Sequence, residues 1–460
     1  MLVFPILYIS SFFLSLNDIR KNRIQGILFF LVFGLPIYTT SLSLCFKYGF
    51  GDLIPLLQSF KELLILIALS YSIYNHKGVF KLHLIDKLLI IFLGYTLLYA
   101  VLPIGQYSFI NKLFALKSLS FFVFVYFTGR LFDLKKILIS KYFHFICLVT
   151  IAASILLIYE VYHYQHFQTL TGYADFNYYF FNQDPTGNYG LSWTFEIDNG
   201  LKRFASFFSN PLEHSASTLL TVSVLAGLYT TNDNKIKIDS FGWLVLSCTL
   251  FAIIFSLSRA SLASYFLMIY IYALVARKKY ILWIIHGTFI FITLYLVFFI
   301  DKDMQSFIID TFNFSNPSSL GHLLEWLDGI QTISGNPFGI GLGESGKVSL
   351  SLGQNVGGEN QLIIIGVQAG IIAVGLYSVV YFHLIKNCFK WFYILKGKEK
   401  KIALALLLMK IGFIVPLMTS NFESYIYISY MSWFISGLFV TIISQRDYPA
   451  LSIDTKTETV

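Results

Sequence analysis

Charged side chains are scarce in this chain. Asp, Glu, Lys and Arg make up 13% of its 460 residues, roughly half of what a soluble globular domain carries, which excludes a soluble enzyme. Cysteines are also few. The four of them fall in different apolar stretches, without the spacing of a metal site or a disulfide framework, so we expect free packing residues. They are Cys45, Cys147, Cys248 and Cys388.

Apolar residues dominate instead, at 56% of the chain. They form long continuous runs, and about 20 such residues cross a bilayer as a helix. The runs predict an all-α, polytopic transmembrane bundle of about 12–13 spans, the first of them short and read as a retained span. The thirteen runs lie near residues 2–16, 24–45, 53–74, 88–103, 114–131, 142–162, 209–229, 240–257, 260–276, 281–300, 360–385, 402–419 and 424–444.

The distribution of Lys and Arg predicts the orientation. Alternate connections carry 23 of them in one set and 7 in the other, and the richer set belongs in the cytoplasm. This also explains the net charge of +8 without nucleic acid. We therefore expect one membrane domain over 1–445, a cytoplasmic tail over 446–460, and two long outer loops at 163–208 and 301–359. Long loops tend to carry function.

The second long loop contains an amphipathic pattern from Leu320 to Ile330, typical of an interfacial helix with Ser318 or Ser319 as N-cap. His322, Glu325 and Gly329 lie on its polar face. His322 and Glu325 are equally explained as the solvated side of the helix. The apolar positions are Leu320, Leu323, Leu324, Leu327 and Ile330.

Two arginines stand apart from the cytoplasmic set. Arg203 ends the first outer loop and Arg259 sits in the tight reversal Ser256–Ser261. A guanidinium near the hydrocarbon needs an anion, and its planar fork suits phosphate or pyrophosphate. The alternatives are a salt bridge to a loop carboxylate and snorkelling to headgroups.

Acids and histidines at span ends are candidate general bases. Glu359, Glu213 and His214 lie at predicted outer mouths, where partial burial raises a carboxyl's proton affinity; an interfacial anchor or an ion pair explains them equally. Charged residues within spans suit a transporter instead. The latter are Lys61, Glu62, Lys117, Glu160 and Lys410.

Two short motifs match the sequence patterns of known binding sites but lack the structural surroundings that those sites need. Gly341, Gly343 and Gly346 match G-x-G-x-x-G, but no βαβ unit surrounds them, so we predict a loop that needs close backbone approach or positive φ. Asp301-Lys302-Asp303 imitates the metal site of nucleotide-sugar transferases, yet it lies on the outer face, where a solvated loop is the better interpretation. We therefore expect no metal and no cofactor.

The ordered combination of Arg203…Phe208-Ser209-Asn210-Pro211, Ser256-Leu257-Ser258-Arg259-Ala260, Asn336–Gly343 and Glu359-Asn360 resembles the bacterial O-antigen polymerase and O-antigen ligase superfamily over roughly residues 24–445. The resemblance implies a lipid-dependent, metal-independent glycosyltransferase of GT-C-like architecture in the bacterial inner membrane. Its substrates would be undecaprenyl-pyrophosphate-linked repeat units at the periplasmic face. The resemblance also implies one candidate protein partner, a regulator of glycan chain length.

Ligases of this superfamily usually carry His-Asn where this chain has Glu359-Asn360, which favours a polymerase over a ligase. The implied roles are pyrophosphate binding by Arg203 and Arg259, proton removal by Glu359, Glu213 or His322, and stacking of loop tyrosines on sugars. A lipid-linked glycan flippase is the rival from another class. Weaker expected binding residues are Lys202, Asn210, His214 and Asn360.

Overall fold

The computed structural model describes residues 1–76, 80–135, 137–197, 200–298, 317–353 and 355–447, and within them it is helical without a β-strand. The helices, numbered here in chain order, are α1 (Val3–Arg20), α2 (Ile24–Lys47), α3 (Ile54–Asn75), α4 (Leu84–Val101), α5 (Phe109–Ser120), α6 (Phe122–Arg130), α7 (Ile139–His163), α8 (Phe167–Thr171), α9 (Tyr173–Phe181), α10 (Pro211–Tyr229), α11 (Ser240–Phe255), α12 (Arg259–Val275), α13 (Lys279–Phe298), α14 (Pro317–Gly335), α15 (Lys347–Ser351), α16 (Gln361–Phe392), α17 (Gly397–Gly412), α18 (Ile414–Thr419) and α19 (Ile426–Asp447).

Every predicted apolar run is helical in its described part, which confirms an all-α multi-pass membrane protein. In the part of the chain that the structure describes, seven helical segments are long and apolar enough to cross a membrane. An eighth is added if α5 and α6, bent by 46°, form one broken span. Three further apolar helices, α11, α12 and the described part of α13, are shorter. Together these make at most eleven apolar segments in the described residues, against the 12–13 spans predicted.

Two glycines allow the closest helix packing of the bundle's core. A Cβ on Gly129 of α6 would lie 2.1 Å from the Phe434 carbonyl, and one on Gly437 of α19 would lie 2.1 Å from the Tyr126 carbonyl. Small residues at such a crossing let two backbones touch, which is how helices associate where no water drives them together. By contrast, α13 leaves large side chains such as Trp283 exposed, as a lipid-facing surface does.

The glycine-rich segment docks against a break in α16. Gly370 has a φ of 76°, and its neighbour Ile371 donates its N–H to the Pro337 carbonyl at 2.9 Å. Gly339, Gly341, Gly343 and Gly346 all have positive φ. A Cβ on Gly341 would lie 2.7 Å from Gly105. The predicted loop with close backbone approach is confirmed.

The amphipathic helix of the second long loop is present as α14. It begins at Pro317, ahead of Ser318 and Ser319, so neither serine is its N-cap as predicted. Gly329 packs on Ile363 of α16, while Leu324 is 57% exposed. The apolar edge therefore faces outward and the polar edge faces the bundle.

The remaining boundaries agree only in part with those expected. Helix α19 continues to Asp447, beyond the predicted start of the tail at 446. The rest of that tail and Asp301-Lys302-Asp303 lie outside the described residues.

Candidate functional site

A cavity of about 620 Å³ opens among the helix ends on the side predicted to face outward. Both long loops contribute to its wall: Tyr173 and Phe181 come from the first, and Lys347 and Glu359 from the second. Asn210, the N-cap of α10, completes the junction between them. The two loops that the charge pattern placed on one face therefore meet at one site.

Glu359 is the predicted base that lines this cavity. Burial raises the pKa of its carboxyl above the usual range, and the charges that act on it are those of His322, Glu325 and Arg203. Within the described part of the chain, no side chain or backbone group donates a hydrogen bond to this carboxylate. Its oxygens are thus available to a substrate proton.

Arg203 and Arg259 are brought together by the reversal between α11 and α12. The Nε of Arg203 donates to the Ser256 carbonyl at 3.1 Å, and Ser258 caps α12 by accepting from the Ser261 N–H. Burial lowers the pKa of the Arg203 guanidinium to about 10, and the positive charge of Arg259 acts in the same direction. Arg203 therefore stays charged at neutral pH. The charge of Arg203 acts on Glu359, and neither arginine is among the residues lining the cavity.

His322 belongs to the same charge cluster through α14. Its Nδ1 lies 3.9 Å from an oxygen of Glu325, which raises the pKa of the imidazole. Glu325 lines the cavity and packs on Gly358, where a Cβ would come within 2.2 Å of its Oε2. Glu325 therefore lines the cavity while remaining 47% exposed, and His322 is 39% exposed and does not line it.

Glu213 and Asn210 have local structural partners. The Glu213 carboxylate accepts a hydrogen bond from the Ser209 N–H at 3.2 Å and another from the Ser209 hydroxyl, and its own N–H donates to Asn210 Oδ1 at 2.8 Å. These contacts cap α10 and close its first turn. With both groups engaged in the cap, Glu213 is a weaker candidate base than Glu359.

His214, Lys202 and Asn360 are also not placed as free binding groups. His214 is buried, stacks on Phe208 at 5.2 Å between ring centroids and does not line the cavity. Lys202 Nζ donates to the Tyr164 carbonyl at 2.6 Å. Asn360 caps α16, its Oδ1 accepting from the Leu362 N–H at 2.9 Å. None of the three lines the cavity, and their binding roles stay predictions.

Sequence reasoning missed a cationic side of the cavity. Lys61 and Lys117 each lie 3.1 Å from Oε1 of Glu62, and all three residues line the cavity together with Lys347. The charges of Lys61 and Lys117 were conspicuous in apolar helices, but nothing in a single sequence indicates that α3 and α5 face each other. Lys347 was visible only as an outer-loop cation.

A further acid of the cavity wall, Glu423, was also missed. Its Oε1 accepts from the Tyr377 hydroxyl at 2.6 Å and from Trp433 Nε1 at 3.0 Å, and Ser429 donates to its Oε2. Lys410 lies 3.9 Å above the Trp433 ring. A carboxylate so fully bonded stabilises the bundle and is a poor proton acceptor.

Glu160, a transporter candidate from the sequence, is a structural anchor. It is fully buried, and its two oxygens accept the N–H groups of Phe167 at 2.8 Å and Ser206 at 2.7 Å. The carboxylate therefore ties both ends of the first long loop to α7.

Within the described residues no group of three or more His, Cys, Asp or Glu side chains could hold a metal ion. Cys45, Cys147 and Cys388 are buried free thiols and Cys248 is partly exposed, as packing residues are. The chain matches no protein-family profile and no curated protein.

Proposed function

We propose that the protein is a polysaccharide polymerase of the bacterial inner membrane. It transfers the growing glycan from undecaprenyl pyrophosphate to a lipid-linked repeat unit at the periplasmic face, to make O-antigen or a related surface polysaccharide. One observation carries the proposal: Glu359, whose carboxylate has no donor among the described residues, lines a cavity shared by both long loops and lies within the charge field of Arg203.

In the proposed reaction a hydroxyl of the repeat unit attacks the anomeric carbon of the growing glycan. The new glycosidic C–O bond forms as the bond from that carbon to the pyrophosphate oxygen breaks, and the hydroxyl proton passes to Glu359. A carboxyl with a raised pKa is suited to this, because a general base works best when its pKa lies near the working pH.

Negative charge develops on the departing undecaprenyl pyrophosphate. Arg203 and Arg259 neutralise this charge as it forms, which stabilises the transition state electrostatically. Arg203 is already oriented by its bond to Ser256, so little reorganisation is needed at the moment of reaction. Two guanidinium groups supply the charge that a bound metal supplies elsewhere.

Aromatic side chains offer surfaces for sugar rings. Tyr173, Phe176 and Phe181 line the cavity, and such rings stack on the apolar faces of sugars. Tyr178, Tyr179 and Trp193 are instead between 56% and 71% exposed, as residues of a membrane-interface belt are. We assign glycan contacts to the first group only.

The decisive experiment supplies purified protein in detergent with lipid-linked repeat units. We expect a ladder of products with several repeats, release of undecaprenyl pyrophosphate, and no loss of activity with a chelator. Transfer only to a lipid A core acceptor would identify a ligase. Transport of the repeat unit across vesicle membranes without bond formation would identify a flippase, and either result would overturn the proposal.

Deletion of the gene gives an independent result in cells. We expect a single repeat unit to remain attached to the lipid core, visible as one band on a polysaccharide gel. Complete loss of attached glycan would indicate a ligase, and accumulation of units inside the cell would indicate a flippase.

A further inference from the structure

The protein has a second cationic group besides the arginine pair. It lines the cavity, and we call it the lysine wall: Lys61, Lys117 and Lys347. Burial lowers the pKa of the Lys347 ammonium, and the charges of Lys61 and Lys117 lower it further. The three ammonium groups therefore act on one another electrostatically. Aromatic rings help to hold two of them, since Lys61 lies 4.4 Å from the centroid of Tyr38 and Lys347 lies 4.9 Å from that of Phe181.

The lysine wall has more positive than negative charge. Lys61 and Lys117 both form an ion pair with Oε1 of Glu62. The other oxygen of Glu62, Oε2, is buried and has no hydrogen-bond partner in the described structure. Glu213 is the one carboxylate whose charge raises the pKa of Lys347, and Ser209 already binds it. The three cations face two acids and leave net positive charge on this side of the cavity, where Lys61 is buried and Lys117 is 46% exposed. Such a charge attracts an anionic ligand.

This group is distinct from the arginine pair. The charges that act on Lys347 come from Lys61, Glu213 and Lys117, whereas those that act on Glu359 come from His322, Glu325 and Arg203. The two sets share no residue, although Lys347 and Glu359 line the same cavity. The lysine wall and the arginine pair are thus two separate places for an anion.

We propose that the lysine wall binds the diphosphate of a second lipid-linked substrate while the arginine pair binds the first. Assigning the lysines to the acceptor and the arginines to the donor rests on the proposed function, because polymerisation joins two molecules that each carry a diphosphate. The acceptor's diphosphate does not react. Loss of a lysine therefore weakens acceptor binding without slowing the chemical step, whereas loss of an arginine slows it.

Binding of inorganic pyrophosphate to the purified protein tests this directly. By titration calorimetry at low salt we expect two molecules per chain in the wild type. The double variant Lys117→Gln/Lys347→Gln should retain one and bind the other at least about tenfold more weakly, because each charge-assisted hydrogen bond contributes about this much. Arg203→Gln should lose pyrophosphate binding at the arginine pair and keep it at the lysine wall. Lys237→Gln, an exposed lysine between α10 and α11, is the control with the same charge loss and should retain both.

The outcomes separate this proposal from the polymerase proposal. One pyrophosphate per chain in the wild type, or two in the lysine variant, would overturn the lysine wall even if polymer forms. Two sites with the expected losses would support it even if no polymer forms. Binding of glucuronate in place of pyrophosphate at the lysines would overturn the diphosphate assignment in favour of an acidic sugar. Thermal unfolding of each variant, with Lys347→Gln alone as the milder substitution, shows whether the fold is intact.

Discussion

The Nε atom of Arg203 donates a hydrogen bond of 3.1 Å to the carbonyl of Ser256, three residues before Arg259. The backbone extends this contact, since the N–H of Phe204 donates to the Phe255 carbonyl at 3.1 Å. The end of the first long loop is thereby fixed to the reversal between α11 and α12. This contact holds Arg203 near the reversal that carries Arg259, whose charge acts on it.

This contact predicts that lysine cannot replace Arg203. Lysine has one ammonium, which cannot both hold the Ser256 carbonyl and bind a phosphate as a fork does. We expect Arg203→Lys and Arg259→Lys to lose polymerisation nearly as completely as the Ala variants in assays with purified protein. Arg446→Lys, in an ion pair with Glu399 on the opposite side, should be neutral. Full polymerisation by both lysine variants would show that the arginines do not bind the pyrophosphate and serve only as interfacial anchors.

A second prediction ranks the three candidate bases. Glu359→Gln should reduce the rate about 10²- to 10⁴-fold, the usual contribution of a general base. Glu213→Gln and His322→Ala should leave measurable chains, because Glu213 is bound by Ser209 and His322 does not line the cavity. Chain length on gels and initial rates measure the effect. Normal polymer from Glu359→Gln removes this residue from the mechanism.

The pH dependence of the rate gives a third prediction. Glu359 must be ionised to accept a proton, so its raised pKa moves the acidic limb of the kcat/KM profile above that of an ordinary glutamate. Glu325 repels the ionised form and His322 stabilises it. Glu325→Gln should therefore shift the acidic limb to lower pH and His322→Gln to higher pH. Shifts in the same direction, or none, would contradict this electrostatic account.

Much of the fold could be predicted from local patterns. Long apolar runs specify helices by themselves, and glycine at Gly341 or Gly343 signals positive φ because other residues are strained there. The amphipathic spacing from Leu320 to Ile330 located α14. Each of these features is determined by residues close together in the sequence, which is why the sequence alone predicts it.

Residues of the site could be predicted only where their type was unusual for their position in the sequence. Arg203 and Arg259 stood out against the charge distribution, and Glu359 stood at a span end. The lysine wall depends on which helices pack together, and a single sequence contains no information on that pairing. Lys202 and His214 are neighbours of Arg203 and Asn210 in the sequence but do not line the cavity, because nearness in sequence does not set the direction of a side chain.

A fourth prediction separates structural from catalytic acids. Glu160→Ala leaves the N–H groups of Phe167 and Ser206 without their acceptor, at roughly 1–3 kcal/mol for each buried group. We expect a lower midpoint of thermal unfolding in detergent and faster proteolysis within residues 163–208, together with loss of polymer. Glu359→Gln should lose polymer without either structural change. Unchanged stability in Glu160→Ala would show that the carboxylate does not anchor the loop.

The last prediction concerns the side of the membrane on which the cavity opens. The bias of Lys and Arg, 23 against 7, predicts that it opens to the periplasm. With Cys248 replaced by Ser, Tyr178→Cys and Ser334→Cys lie at exposed positions of α9 and α14, and they should react with a membrane-impermeant maleimide once the outer membrane is permeabilised. Lys237→Cys should react only after the inner membrane is opened, because it lies in the opposite set of connections. The reverse pattern would put the cavity in the cytoplasm, where no periplasmic polymerisation can take place, and the proposed function would fail with it.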